Sequence, residues 1–271
     1  MLEQELKRIT QELKGKNIRA EVIKNYLKEY LQLVVLEFIY SSDYQDLIFT
    51  GGSCLRFCYG LNRLSEDLDL DVSKKIDKQK LKKELLKYFK EKLKYQDLEV
   101  SISGKSQKIY LKFPLLENLN LVKSGESKKL YLKLEIEKTS NKKFKTEKTP
   151  VIQKNFSFFV NNYDLPSLMS GKIAALLKRS FKKGKGDKIT FKGRDYYDLI
   201  WYLSKAVVPN MPYLKELTGL SDLEAVFKAL DKKIKKINLV YLRQDIESLF
   251  ENRAFVEQFT RNFKTLYQKR K

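Results

Sequence analysis

Apolar positions recur with helical period over residues 2–13 and again over 20–41, where Val22, Tyr26, Leu27, Tyr30, Leu33 and Val34 share a face. Both stretches are expected to be helices. The pattern then shortens: DLIFTGG (46–52) reads as a buried strand running into a glycine turn, and CLRFCYG (54–60) as a brief helix stopped by Gly60. Strict alternation in LDLDV (68–72) predicts a strand with one face in a core. KQKLKKELLKYFKEKLK (78–94) returns to helical spacing through Leu81, Leu85, Phe89 and Leu93, with a basic outer face. Alternating segments at 98–103, 109–113 and 130–138 read as strands. From Pro166 onward the spacing is helical, and Ser221 with Glu224 forms a capping box before LEAVFKAL. The pattern predicts an α/β (α+β) chain: an α/β lobe over 1–160, then an all-α lobe over 161–271.

Composition narrows the chemistry more than the fold. The 271 residues are 42% hydrophobic and 33% charged, a soluble globular balance without low-complexity tracts. The longest apolar run, LQLVVLEFIY (31–40), is about half a membrane span and contains Glu37, so it reads as a buried helix. The N-terminal MLEQELKRITQELKGK has the character of neither a signal nor a transit peptide, which predicts a cytoplasmic protein with no membrane partner. Cys54 and Cys58 support neither a disulfide framework nor a four-ligand zinc site, and read as small core residues on one helix. Histidine is absent, which removes histidine general bases, Ser-His-Asp catalysis and histidine metal sites. A formal charge of +21 favours polyanionic partners such as nucleic acid or nucleotides.

Against that charge, three carboxylates two apart are conspicuous. On a strand, Asp67, Asp69 and Asp71 share one face while Leu68, Leu70 and Val72 share the other. Carboxylates so close repel one another unless protonated or offset by a cation, and oxygen ligands on a strand suit Mg2+, or Mn2+ in its place. A calcium loop fails, because Val72 stands where glycine is required and Lys78 where the terminal glutamate is required. A solvated acidic edge remains the plain alternative, with Asp71 the most dispensable of the three. Upstream, Gly51, Gly52 and Ser53 lie between a strand and a helix start, where backbone N–H groups and a hydroxyl cradle phosphate. Ser53 read by itself is equally a helix cap. No Walker A loop is present, since Gly171-Lys172 is followed by Ile173. Taken together, the turn and the DxD strand set a phosphate site beside a metal site.

The string GGSCLRFCYGLNRLSEDLDLD resembles the AbiEii/AbiGii toxin family of nucleotidyltransferases, within the DNA polymerase β-like superfamily, in which GG(S/T)xLR…G…R(F/L)SeDlD recurs. YDLPSLMSGKIAALLKR (163–179) and FKGRDYYDLIWYL (191–203) continue the resemblance in the same order. It implies the nucleotidyltransferase mixed β-sheet with flanking helices, followed by the all-α lobe, and a type IV-like toxin with a cognate antitoxin. It also implies metal-dependent transfer of a nucleotide from a nucleoside triphosphate (NTP), with Gly52 and Ser53 on the phosphates and Asp67 and Asp69 on the metal. A third carboxylate in LYLKLEIEK is implied as Glu135, with Glu137 on the same face as its rival and an ordinary polar face as the alternative. Lys172 and Arg179, seven apart on one helical stripe, would read alone as solvated cations; the resemblance makes them triphosphate ligands. It makes Asp195 an active-site residue that orients Lys172 or activates the attacking hydroxyl, and Asp198 structural. By spacing alone, Arg194 and Asp198 are a surface ion pair, and Tyr196, Tyr197 and Trp201 are packing residues.

Charge and resemblance together suggest tRNA, modified at its 3′ end, or another RNA as the acceptor. The basic segment SFKKGKGDKITFKGR (180–194) suits a grip on RNA phosphates, and equally an exposed loop. Other acceptors, namely a protein or a small molecule, would use the same residues without needing +21. A catalytically dead nucleic-acid-binding module would keep the charge without needing Asp67 and Asp69.

Overall fold

The helical periodicity of the first forty residues folds as α1 (Leu2–Gly15) and α2 (Ala20–Tyr40), and the glycine turn launches α3 (Gly51–Tyr59) directly from β1 (Ile48–Thr50). This computed structural model describes residues 2–104, 108–179 and 192–270. Of the basic 180–194 segment, residues 180–191 lie outside the described residues. Gly60 ends α3 in the left-handed conformation, with φ at +74°. Cys54 and Cys58 both lie on α3, the first fully buried. The alternating segments form β2 (Asp67–Val72), β3 (Glu99–Ser103), β4 (Lys108–Phe113) and β5 (Leu130–Lys138).

Two strands escape the periodicity reading, β6 (Thr146–Gln153) and β7 (Phe156–Tyr163). The strand β6 is mostly exposed, so it has little alternation to detect, and it carries Pro150 at the sheet edge, where a missing N–H is tolerated. The sheet order is β3-β4-β5-β2-β1-β7-β6. It is mixed: β2 runs parallel to β5 and β1 parallel to β7, while β1–β2, β3–β4 and β4–β5 are antiparallel. The segment 78–94 is not one α-helix. It is α4 (Lys78–Lys87) followed by a π-turn at Tyr88–Lys92 that keeps Phe89 fully buried.

The chain divides into two units, Met1–Ser140 with Glu147–Asn162, and Asn141–Thr146 with Tyr163–Lys271. The second contains α5 (Leu165–Lys178), α6 (Gly193–Ser204), α7 (Met211–Thr218), α8 (Leu223–Lys235), α9 (Leu239–Ile246) and α10 (Arg253–Arg270). Asp222, not Ser221, caps α8, its carboxylate accepting from the Ala225 N–H at 2.7 Å. Tyr196, Tyr197 and Trp201 are core residues of α6, with the Tyr197 ring 4.8 Å from Phe250 and 4.9 Å from Phe259. No helix among the described residues is long and apolar enough to cross a membrane.

Candidate functional site

In the first unit the antiparallel β1–β2 register sets Thr50 opposite Asp69, so the DxD strand lies beside the glycine turn. Gly51 has φ of +77°, a conformation that disfavours every side chain. A Cβ added there would clash with Asp69 Oδ2 and stand 2.9 Å from its Cγ, so the carboxylate rests on bare backbone. One added at Gly52 would stand 2.7 Å from Arg63 Nη2. Thr50 occupies the helix N-cap position, so Ser53 is not the cap; its hydroxyl is fully buried and has no hydrogen-bond partner among the described residues. A bound phosphate oxygen is the kind of partner such a group lacks.

Arg63 is the residue that sequence reasoning overlooked. It is 1% exposed, its Nη1 donates to the Leu64 carbonyl at 2.8 Å, and its guanidinium packs under the Gly52 turn. A fixed positive charge therefore reinforces the N-terminal pole of α3. Its signal lay in the RLSEDLDLD string itself. Arg56 braces the same loop, donating to the Leu61 and Arg63 carbonyls at 3.1 and 3.2 Å while pairing with buried Glu29 of α2. From α2, Gln32 donates to the Ser65 carbonyl at 3.2 Å and fixes the approach to β2.

The carboxylate face is built by two parallel strands. The β2–β5 register pairs Asp67 with Lys133, Asp69 with Glu135, and Asp71 with Glu137. Leu68 and Leu70, at 0% and 1% exposure, hold the opposite face in the core, so the aspartates cannot turn away. Glu135 is thus the glutamate beside Asp69. Lys133 Nζ lies 3.0 Å from Asp67 Oδ2 and also pairs with Glu135, and Lys108 Nζ lies 2.7 Å from the other Glu135 oxygen. Among the described residues no three acidic groups converge into a ready-made metal cage. Mg2+ commonly takes only one or two carboxylates and draws its remaining ligands from water and substrate phosphates. Asp67 and Asp69 meet that requirement, and the ammonium lodged between Asp67 and Glu135 marks the face as one that accepts cations.

Burial opposes the charge on Lys133, but Glu135 and Asp67 outweigh it and raise its pKa. Burial likewise raises the Glu135 pKa, yet Lys108 and Lys133 prevail and hold it below its ordinary 4.5. A depressed carboxylate contributes stability that is complete above its ordinary value and lost as pH falls through the lowered one. Glu135→Gln is therefore expected to lose less stability than the wild type as pH falls below about 4.5. Urea unfolding at stepped pH, with chelator present, measures this; parallel acid limbs would refute it.

In the second unit α5 and α6 assemble their own cluster. Lys172 Nζ lies 2.7 Å from Asp195 Oδ1 and 2.8 Å from Asp198 Oδ2, and Arg179 pairs with the other Asp195 oxygen. The carboxylates of Asp195 and Asp198 are 3% and 0% exposed. Asp198 is thus a buried partner of Lys172, not a member of a surface pair. The Arg194 N–H donates to Asp245 at 3.1 Å. Lys172, Arg179 and Asp195 stand together here; Gly52, Ser53, Asp67, Asp69 and Glu135 stand together in the first unit.

Among solved structures, MenT4, a nucleotidyltransferase toxin from Mycobacterium tuberculosis H37Rv, matches with a TM-score of 0.52 at 14% identity, over 96% of this chain and 98% of that one. At that identity the likeness speaks for the fold. JHP933 from Helicobacter pylori matches with a TM-score of 0.49 at 17% identity, over 90% of each chain. No curated protein matches the sequence significantly. The sequence also matches the profile of the nucleotidyl transferase AbiEii toxin of type IV toxin–antitoxin systems over residues 34–269. A match across most of its length, on a nucleotidyltransferase fold, places the chain in the AbiEii family of nucleotidyltransferase toxins.

Proposed function

We propose that this nucleotidyltransferase moves a nucleotide from an NTP to the 3′ end of an RNA, tRNA foremost, in the cytoplasm. Family membership implies the NTP donor and an antitoxin partner. The observation that carries the site reading is the Asp69 carboxylate seated on the Gly51 turn, with the Arg63 guanidinium beneath Gly52. Anion-binding backbone and cation-binding carboxylate there adjoin, as a metal-bound triphosphate requires.

The turn, Ser53 and the α3 N-terminus would hold the β- and γ-phosphates. Asp67 and Asp69, with Glu135 beside them, would hold Mg2+ or Mn2+, which supplies charge neutralisation for the triphosphate. The acceptor hydroxyl attacks the α-phosphorus in line, the bond to the β-bridging oxygen breaks, pyrophosphate leaves, and the hydroxyl proton passes to water at the carboxylate face. Catalysis is then chiefly positioning and electrostatics. Asp195, with a cation on each oxygen, suits orienting Lys172 and Arg179 better than it suits taking a proton. The charge of +21 supports a polyanionic acceptor.

The test incubates the protein with total tRNA, Mg2+ and each α-labelled NTP in turn, beside Asp69→Asn. Labelled RNA from one or more nucleotides, at least 1,000-fold weaker in the variant, is the expected result (an order-of-magnitude loss for removing a preorganised charge). Label on protein or a small molecule would overturn the acceptor. No label on any substrate would overturn the reaction.

A further inference from the structure

The second unit contains a groove of about 680 Å3 between the end of α5, the end of α7 and one face of α8. Its floor is apolar and half-buried: Leu177, Leu217 and Leu220, with Ala225 and Ala229 opposite. Its wall is a row of exposed lysines, Lys228, Lys232 and Lys236, four apart and so about 6 Å from one to the next along α8. Lys178 closes the other side, and among the described residues no carboxylate lines the groove.

Such a row is not required by the fold. Val226, Leu230 and Ile234 bury α8, and three like charges one turn apart on its outer edge repel each other. Small alanines between the lysines leave the volume open where larger side chains would fill it. The groove also joins the candidate site of its own unit. Lys233, in its lining, donates to the Arg179 carbonyl, and the Arg179 guanidinium holds Asp195.

We infer that this groove binds the sugar–phosphate backbone of single-stranded RNA, with the lysine row on successive phosphates and the leucine floor against a base. A membrane surface fits poorly, because the lysines line a recess and not a convex face. An acidic protein segment has the right charge, but the alternation of cationic wall and apolar floor repeats the phosphate–base alternation of a nucleic-acid strand. The inference deepens the reading of an RNA acceptor and rests on it.

The test measures binding of a fluorescent single-stranded RNA, with no NTP present, from 50 to 200 mM salt, by the full chain and by a Lys228→Ala/Lys232→Ala/Lys236→Ala variant. Losing three contacts should flatten the slope of log K against log salt by about 2, at roughly 0.7 per phosphate on a single strand, and weaken binding at least tenfold at 100 mM. The corresponding triple Lys→Arg variant should bind as the wild type does. A triple alanine variant on the exposed face of α4, Lys80, Lys83 and Lys87, removes the same charge elsewhere and should keep the wild-type slope. An unchanged slope in the groove variant overturns the inference, and so does an equal change in the α4 variant. Loss of binding to an acidic peptide but not to RNA overturns it too. The two readings fail separately: RNA that binds in the groove but is never labelled sinks nucleotidyl transfer to RNA alone, and labelled RNA with an unaltered groove variant sinks the groove alone.

Discussion

Lys172→Met is expected to cost about 3–5 kcal/mol of stability, the usual penalty for taking one partner from a buried ion pair. One ammonium serves two carboxylates here, at 2.7 Å and 2.8 Å, and those carboxylates are 3% and 0% exposed. Methionine fills the volume of the stem and supplies no charge, so the loss is electrostatic and not a cavity. Arg179 still reaches Asp195. Adding Asp195→Asn or Asp198→Asn to the lysine variant should recover part of the loss, and this double-mutant comparison separates the two couplings. Urea denaturation checks it. A loss under 1 kcal/mol, or no rescue by either asparagine, would show that the ammonium does not hold α5 to α6 in this way.

Gly51→Ala is expected to abolish most activity while the chain still folds. The left-handed backbone alone costs about 1–2 kcal/mol for an L-residue. The larger effect is displacement: the new methyl occupies the space of the Asp69 carboxylate and must move it. A shift near 1 Å in a group positioned for reaction typically costs on the order of 100-fold in rate. Gly60→Ala is the matched control, because φ there is +74° and an added Cβ meets nothing within 4 Å. Both variants should lose similar stability; only Gly51→Ala should lose transfer activity. If both lose activity equally, the effect is strain and not the approach of Asp69 to the turn.

Local pattern revealed much of this architecture because the decisive strands are half-buried. Leu68, Leu70, Leu132 and Leu134 write the alternation of β2 and β5 into the sequence, and the glycine turn is readable since only glycine accepts a φ of +77° at ordinary cost. Where burial is weak the pattern fades. The exposed β6 left no alternation, and the π-turn at Tyr88 is invisible because its apolar residues keep near-helical spacing. The site residues that went unread are those whose meaning depends on register. Lys133 looks like one more surface lysine until parallel pairing sets it opposite Asp67. Arg63 becomes meaningful once the chain folds it beneath Gly52, and Asp198 once α6 turns it toward Lys172.

The parallel pairing of β2 with β5 also governs when the carboxylate face exists. Asp69 and Glu135 are neighbours across strands but distant along the chain, and their ladder closes only after Lys138 has been made. Long-range parallel pairs form late, because a large loop must close before any contact rewards it. On the ribosome, a growing chain that has not yet delivered β5 holds the DxD motif on β1 alone, without the strand that sets Glu135 beside Asp69.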